Sequence, residues 1–156
     1  MTVGITGTRK GMTPPQLRSC VGYMAWINQE RGAANDVNYT SPPDDYYSLT
    51  HGDCVGADAQ AWAVAAGFNW DTTALPSIAD PKWHANTPST HIEQRRPPLE
   101  RNRLIVDRCH LLLAFPGDGP ERGGTWYTIN YARANGRHLI IVWPDGTTTH
   151  ENEPTK

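Results

Sequence analysis

Three short stretches constrain this chain more than anything else in it. They are Val3-Gly4-Ile5-Thr6-Gly7-Thr8-Arg9, then Leu49-Thr50-His51-Gly52-Asp53-Cys54-Val55-Gly56-Ala57-Asp58, then Leu111-Leu112-Leu113-Ala114-Phe115-Pro116-Gly117 continuing to Gly123-Gly124-Thr125. Each reads as a short apolar strand that breaks at glycine and passes into a helix. Such a junction leaves backbone N–H groups without an intrahelical carbonyl, at the positive end of the helix dipole. Anions bind at places of this kind. Three of them in 156 residues predict a ligand with phosphate character at the carboxyl edge of a parallel sheet.

The rest of the chain fits that sheet. Residues 2–7 read as the first strand. Thr13 with Pro14, Pro15 and Gln16 opens a helix as a capping box, with proline in the first turn. Leu17, Cys20, Val21, Met24 and Ile27 follow at helical spacing, and Gly32 closes the helix. Residues 34–47 are polar and read as an excursion. Residues 47–51 are a short strand, 56–66 an alanine-rich helix closed by Gly67, and 68–75 a further strand. Residues 76–98, with five prolines, read as a long loop over the sheet edge, and loops of that length often serve function. A helix from Leu99 to Cys109, an apolar strand 111–115, a helix 125–135 capped by Thr125 and a strand 139–143 complete the pattern. The tail 147–156 is polar and reads as frayed.

Strands alternating with helices give βαβ units. The wholly apolar strands at 111–115 and 139–143 suit positions covered on both faces. The expected architecture is a Rossmann-like, doubly wound α/β fold with helices on both faces of a mostly parallel sheet of about five strands. It occupies one domain over residues 1–146. Ligands in such sheets bind where the winding direction reverses. With the first strand central, the loops after 2–7 and 111–115 face each other across that crevice.

Charge and cysteine content narrow the function classes. A net charge of -2 and a pI near 6.3 give no general basic footprint for nucleic acid, although Arg95, Arg96, Arg101 and Arg103 cluster locally. Cys20, Cys54 and Cys109 are odd in number and lack zinc-site spacing, which reads as reduced thiols. No apolar run reaches the roughly 20 residues of a membrane helix. Together with a first strand that starts at residue 2, this leads to an expected cytoplasmic location.

Several residues have both a structural and a functional reading. Asp53 and Asp58 stand at a helix start, where they can cap it or accept a hydrogen bond from a ribose hydroxyl. His51, Asp53 and Cys54 have no diagnostic metal spacing, and neither a metal nor a cofactor is expected. Arg101, in the first turn of its helix, opposes the dipole unless it meets an anion, and its planar fork suits a phosphate. The expected ligand-binding residues are Gly7, Thr8, Arg9, Gly52, Asp53, Gly56, Ala57, Asp58, Arg101, Asn102, Pro116, Gly117, Gly123, Gly124 and Thr125.

Taken together, Gly7-Thr8-Arg9 with Gly11-Met12-Thr13, His51 to Asp58, Arg101-Asn102-Arg103 with Ile105-Val106, and Gly124-Thr125-Trp126 resemble the SLOG superfamily. Its members include the Lonely Guy phosphoribohydrolases and DNA-processing protein A, and the pattern is most similar to small stand-alone bacterial and phage members. The likeness spans residues 2 to 146 and implies a site for a nucleotide-derived ligand. Lonely Guy enzymes carry a catalytic glutamate in the loop that matches this segment; Thr128 stands there in this chain and cannot act as an acid or base at neutral pH. The implied function is binding of an ADP-ribose-like or cyclic nucleotide species without turnover, in the form of sensing or sequestering an immune signal. The alternatives are a nucleotide phosphoribohydrolase using Asp53, Asp58 or Glu121, and, more weakly, a single-stranded nucleic-acid binder. Lonely Guy-like relatives imply a homodimer or higher oligomer.

Overall fold

A computed structural model describes residues 1–34 and 47–155. In chain order the elements are β1 (Thr2–Gly7), α1 (Pro14–Ala34), β2 (Ser48–His51), α2 (Ala57–Gly67), β3 (Asp71–Ala74), a 3₁₀ turn (Pro81–Trp83), β4 (His91–Ile92), α3 (Pro98–Arg108), β5 (Leu111–Phe115), α4 (Gly124–Ala134), β6 (His138–Val142) and β7 (Thr148–Glu151). Among the described residues the strands form one seven-stranded sheet in the order β4-β3-β2-β1-β5-β6-β7. All pairings are parallel except β6–β7.

The sheet is the expected doubly wound α/β arrangement, and it is wider than the five strands expected. β4 is two exposed residues with no room for alternation, so it leaves no pattern in the sequence. β7 reads Thr-Thr-His-Glu and lies exposed along the sheet edge, so its polar composition looked like a frayed tail. The backbone nonetheless pairs with β6 from Leu139↔Glu151 to Val142↔Thr148. The 76–98 stretch also carries more structure than a loop. It contains the 3₁₀ turn and β4, and bridges join Ser77 to Arg96 and Cys54 to His84. Helix α1 runs through Gly32 to Ala34, and most of the polar excursion at 34–47 lies outside the described residues.

The alternation of β5 divides the core into two layers. Leu111, Leu113 and Phe115 join Val3 and Ile5 against Cys20 and Met24 of α1 and Ala57, Ala61 and Ala65 of α2. Leu112 and Ala114 face the other way, with Leu139 and Ile141, onto Ile105 and Val106 of α3 and Trp126 and Ile129 of α4. Each fully buried large side chain contributes about 1.5–3 kcal/mol. Both faces of the central strands are therefore covered, which is why 111–115 reads as a continuous apolar run.

The Thr13–Gln16 capping box forms as expected. Gln16 N donates to Thr13 Oγ1 at 3.2 Å and Thr13 N to Gln16 Oε1 at 2.9 Å. The fully buried Gln16 amide then does a second job, donating from Nε2 to Pro116 O at 2.8 Å and Val142 O at 2.9 Å. It ties the ends of β5 and β6 to the start of α1.

Candidate functional site

β1 sends its chain toward β2 through α1, while its other neighbour, β5, continues to β6 through α4. The loops after β1 and β5 therefore part, and the gap is a cleft of about 680 Å³. Of the expected ligand-binding residues, Gly7, Thr8, Arg9, Gly52, Asp58, Arg101, Asn102, Pro116, Gly117, Gly124 and Thr125 line it. Asp53, Gly56, Ala57 and Gly123 are not part of its lining. Lys10, Cys54, Trp83, Leu99, Arg122 and Trp126 line it as well and were not foreseen.

Three glycines of the site are forced by close approach: Gly7, where a Cβ would stand 2.5 Å from Ala57 Cβ, Gly56 and Gly52. Gly56 caps α2 at φ 90, and a Cβ there would stand 2.5 Å from Arg9 O and 2.6 Å from Thr8 O. This tight contact brings the α2 N-terminus under the β1 loop, where Ala57 N donates to Thr8 O at 3.1 Å. Gly56 and Ala57 thus build the cleft from behind without lining it. A Cβ on Gly52 would meet Arg101 Nη1 at 2.7 Å and Asp58 Oδ2 at 3.0 Å. Glycine is the residue that lets a guanidinium lie against this backbone.

Helix α4 presents an open N-terminus to the cleft. Its cap is Gly123, without a side-chain cap bond, and its first turn holds no acidic residue. Thr125, expected as the cap, sits inside the first turn instead, because the chain enters the helix one residue earlier, at Gly124. The N–H groups of that turn have no intrahelical acceptor. Arg9, Lys10, Arg101 and Arg122 put cationic side chains around the same space, against Asp58 and Asp118.

Arg101 is only 5% exposed, and its donors are largely spent on the protein. Nη1 donates to Gly52 O at 2.5 Å and Leu75 O at 3.0 Å, and Nε to Asn102 Oδ1 at 2.8 Å. Nη2 makes a weak 3.7 Å contact with Cys54 Sγ. Asp58 beside it accepts from Gly52 N at 2.9 Å and Cys54 N at 3.2 Å. Burial holds the Asp58 carboxyl above the ordinary carboxylate range, against the pull of His51 and Arg101. Burial likewise raises the Cys54 thiol, and raises Cys20 to about 12 and Cys109 to about 11. All three thiols are free, and burial favours the protonated form of each.

Asp53 turns away from the cleft at φ 54 and anchors the far excursion. Its Oδ1 accepts from Thr87 N and Thr87 Oγ1, both at 2.9 Å. Thr87 Oγ1 lies 2.8 Å from Ser89 Oγ, which lies 2.9 Å from His51 Nε2. Asp53 N donates back to His51 Nδ1 at 3.0 Å. That bond leaves the proton on Nε2, so the donors run His51, Ser89, Thr87, Asp53 in a closed circuit. Burial lowers the His51 pKa, against the pull of Asp58 and Asp53, which favours the neutral ring. With both nitrogens engaged, His51 is not placed to hold a metal. Among the described residues, His138, His150 and Glu153 bring ligand atoms within 4.8 Å of one another, outside the cleft, with His150 already bonded to Glu153 and Tyr23.

Thr128 is buried inside α4, with Oγ1 donating to Gly124 O at 2.8 Å, and it does not reach the cleft lining. Glu121 is exposed and also outside the lining. Among Asp53, Asp58 and Glu121, only Asp58 borders the cleft.

No model of a known protein family matches this sequence, and no curated protein matches it. Solved structures do share its fold. The molybdenum cofactor binding protein from the phototrophic bacterium Rippkaea orientalis superposes with a TM-score of 0.64 at 16% identity, over 91% of this chain and 76% of that one. DNA processing protein A from Streptococcus pneumoniae gives 0.63 at 18% identity, over 90% of this chain. This chain spans about half of that protein, 49% of its length. The Helicobacter pylori protein of the same name, described for its single-stranded DNA binding mode, gives 0.57 at 16% identity, over 90% and 64%. No described helix is long and apolar enough to cross a membrane.

Proposed function

We propose, with the SLOG-type Rossmann-like fold as the premise, that the cleft between the β1 and β5 loops binds a phosphate-bearing, nucleotide-derived small molecule and returns it unchanged. The observation that carries this reading is the α4 N-terminus. It is capped by glycine, free of acidic residues in its first turn, and opens onto a cleft ringed by Arg9, Lys10 and Arg122. Uncapped N–H groups, a helix dipole and cations attract the same anion. A cleft of about 680 Å³ lies within the range of small-molecule sites.

The absence of turnover rests on Thr128, whose hydroxyl is locked to its own helix where the resemblance places a glutamate. An ADP-ribose-like or cyclic nucleotide signal, sensed or sequestered, is the finer form of this reading and rests on fold analogy. A second reading has one specific support. Asp58 borders the cleft with a carboxyl raised by burial, and such a group can act as a general acid in a phosphoribohydrolase.

The test is release of co-purified ligand by heat and its mass spectrometry, followed by calorimetry with the identified compound. A nucleotide-class ligand that binds stoichiometrically supports the reading. A cleft that takes up no phosphate-bearing compound overturns it.

A further inference from the structure

The excursion between β3 and α3 is fastened to the β2–α2 loop with unusual care. Val55 N donates to Trp83 O at 2.9 Å and Ala85 N to Asp53 O at 2.8 Å. Behind these bonds lies the closed circuit of His51, Asp53, Thr87 and Ser89, all buried. Four buried polar side chains are costly unless each is satisfied, and here each is. A circuit of that kind fixes one loop position at the expense of apolar packing.

The residue it places at the cleft is Trp83. The indole is half-buried, borders the cleft and belongs to neither core layer. Arg9, from the β1 loop, puts its Cζ 4.6 Å from the Trp83 ring centroid. Lys82 Nζ lies 5.0 Å from the same centroid, so the exposed Arg9 and Lys82 both hold positive charge over the indole at the cleft edge. Aromatic bases stack on indole and guanidinium planes with little preference among bases.

We propose that Trp83 and Arg9 form a stacking wall for an aromatic base, so that the ligand class is nucleotides and not bare sugar phosphates. This rests on the nucleotide reading of the cleft. The ligand lies with its phosphate at the α4 N-terminus and its base toward Trp83. Asp53, Thr87, Ser89 and His51 are positioning residues that hold the wall, which accounts for an Asp53 turned away from the cleft.

The test is calorimetry of the full chain with AMP, GMP, CMP and UMP and, separately, with ribose 5-phosphate, which carries the same sugar and phosphate without a base. The wild type binds at least one mononucleotide about 10-fold or more tighter than ribose 5-phosphate, the gain expected from stacking one base. Trp83→Ala removes that gain and changes ribose 5-phosphate affinity by less than about 3-fold, while Trp83→Phe keeps most of it. Thr87→Val, which breaks the circuit at a distance from the cleft, reproduces the Trp83→Ala pattern in weaker form with circular dichroism unchanged. Three results overturn the proposal: equal affinity for mononucleotides and ribose 5-phosphate, an equal loss for both in Trp83→Ala, or a Thr87→Val variant that loses thermal stability alone. If the wild type binds neither class of probe, the nucleotide reading of the cleft falls and this proposal with it. That outcome is distinct from sugar-phosphate binding to which a base adds nothing.

Discussion

Arg101 can be an anion clamp or a strut, and its geometry favours the strut. Arg101→Met keeps the length and apolar character of the stem and deletes the guanidinium. Leu75 O then loses its donor, and Gly52 O keeps only the weak 3.7 Å contact from Cys54 Sγ, in a place where the arginine is only 5% exposed. Each buried acceptor left without a partner costs about 1–3 kcal/mol, toward the upper end when the lost donor was charged. The two carbonyls share one group, so the losses are not additive, and the expected cost is about 3–4 kcal/mol. At a slope of about 2 kcal/mol per M, the urea midpoint falls by roughly 1.5–2 M. The Asp58 carboxyl, deprived of a positive neighbour, moves further above its ordinary range. Arg101→Lys can reach one carbonyl at a time and recovers about half of the loss. Equilibrium urea unfolding at neutral pH, followed by far-ultraviolet circular dichroism, reads the midpoint and the slope. A loss below about 1 kcal/mol, at unchanged slope, would refute the strut and leave the arginine free for a ligand.

Gly56→Ala places a methyl 2.5 Å from Arg9 O at φ 90; the thermal unfolding free energy falls by about 2–3 kcal/mol, and a change under about 0.5 kcal/mol contradicts the close approach. His51 has a folded pKa below its ordinary 6.5 because it is buried. The unfolded chain therefore takes up the proton first, and stability present above pH 6.5 is lost as the pH falls toward the folded value; a His51→Gln variant flattens that slope in melts between about pH 5 and 7, and an identical slope contradicts the neutral ring. A generic single-stranded oligonucleotide shows no salt-sensitive binding near neutral pH, as the net charge of -2 suggests; tight binding that drops between about 50 and 200 mM salt contradicts this.

The sheet, its winding reversal and the three glycine junctions were legible because their causes are local. Apolar runs of four or five residues mark β5 and β6, and glycine marks each break. The Thr13–Gln16 box was legible for the same reason: both partners lie within one turn. Legibility fails where the partner is distant or the surface is wet. Asp53 reads as a cap or a ribose acceptor, yet its bonds go to Thr87, 34 positions away. Gln16 reaches 126 positions to Val142 O. β4 is two exposed residues and β7 an exposed polar edge, and neither carries a period of two. Trp83 lies in a proline-rich stretch where no periodicity assigns a face. The Thr125 cap failed by two residues, since a glycine at Gly123 serves the entry to α4 about as well as a threonine would.

The central claim is binding without chemistry in the cleft between the β1 and β5 loops. The most direct measurement mixes the protein with nucleoside monophosphates, ADP-ribose and cyclic ADP-ribose-type molecules, reads binding by calorimetry, and recovers each ligand by heating for chromatography. At least one compound is expected to bind stoichiometrically and to return chemically intact. Release of free base or ribose phosphate at substoichiometric protein would contradict the claim, and loss of that release in Asp58→Asn would assign the chemistry to Asp58.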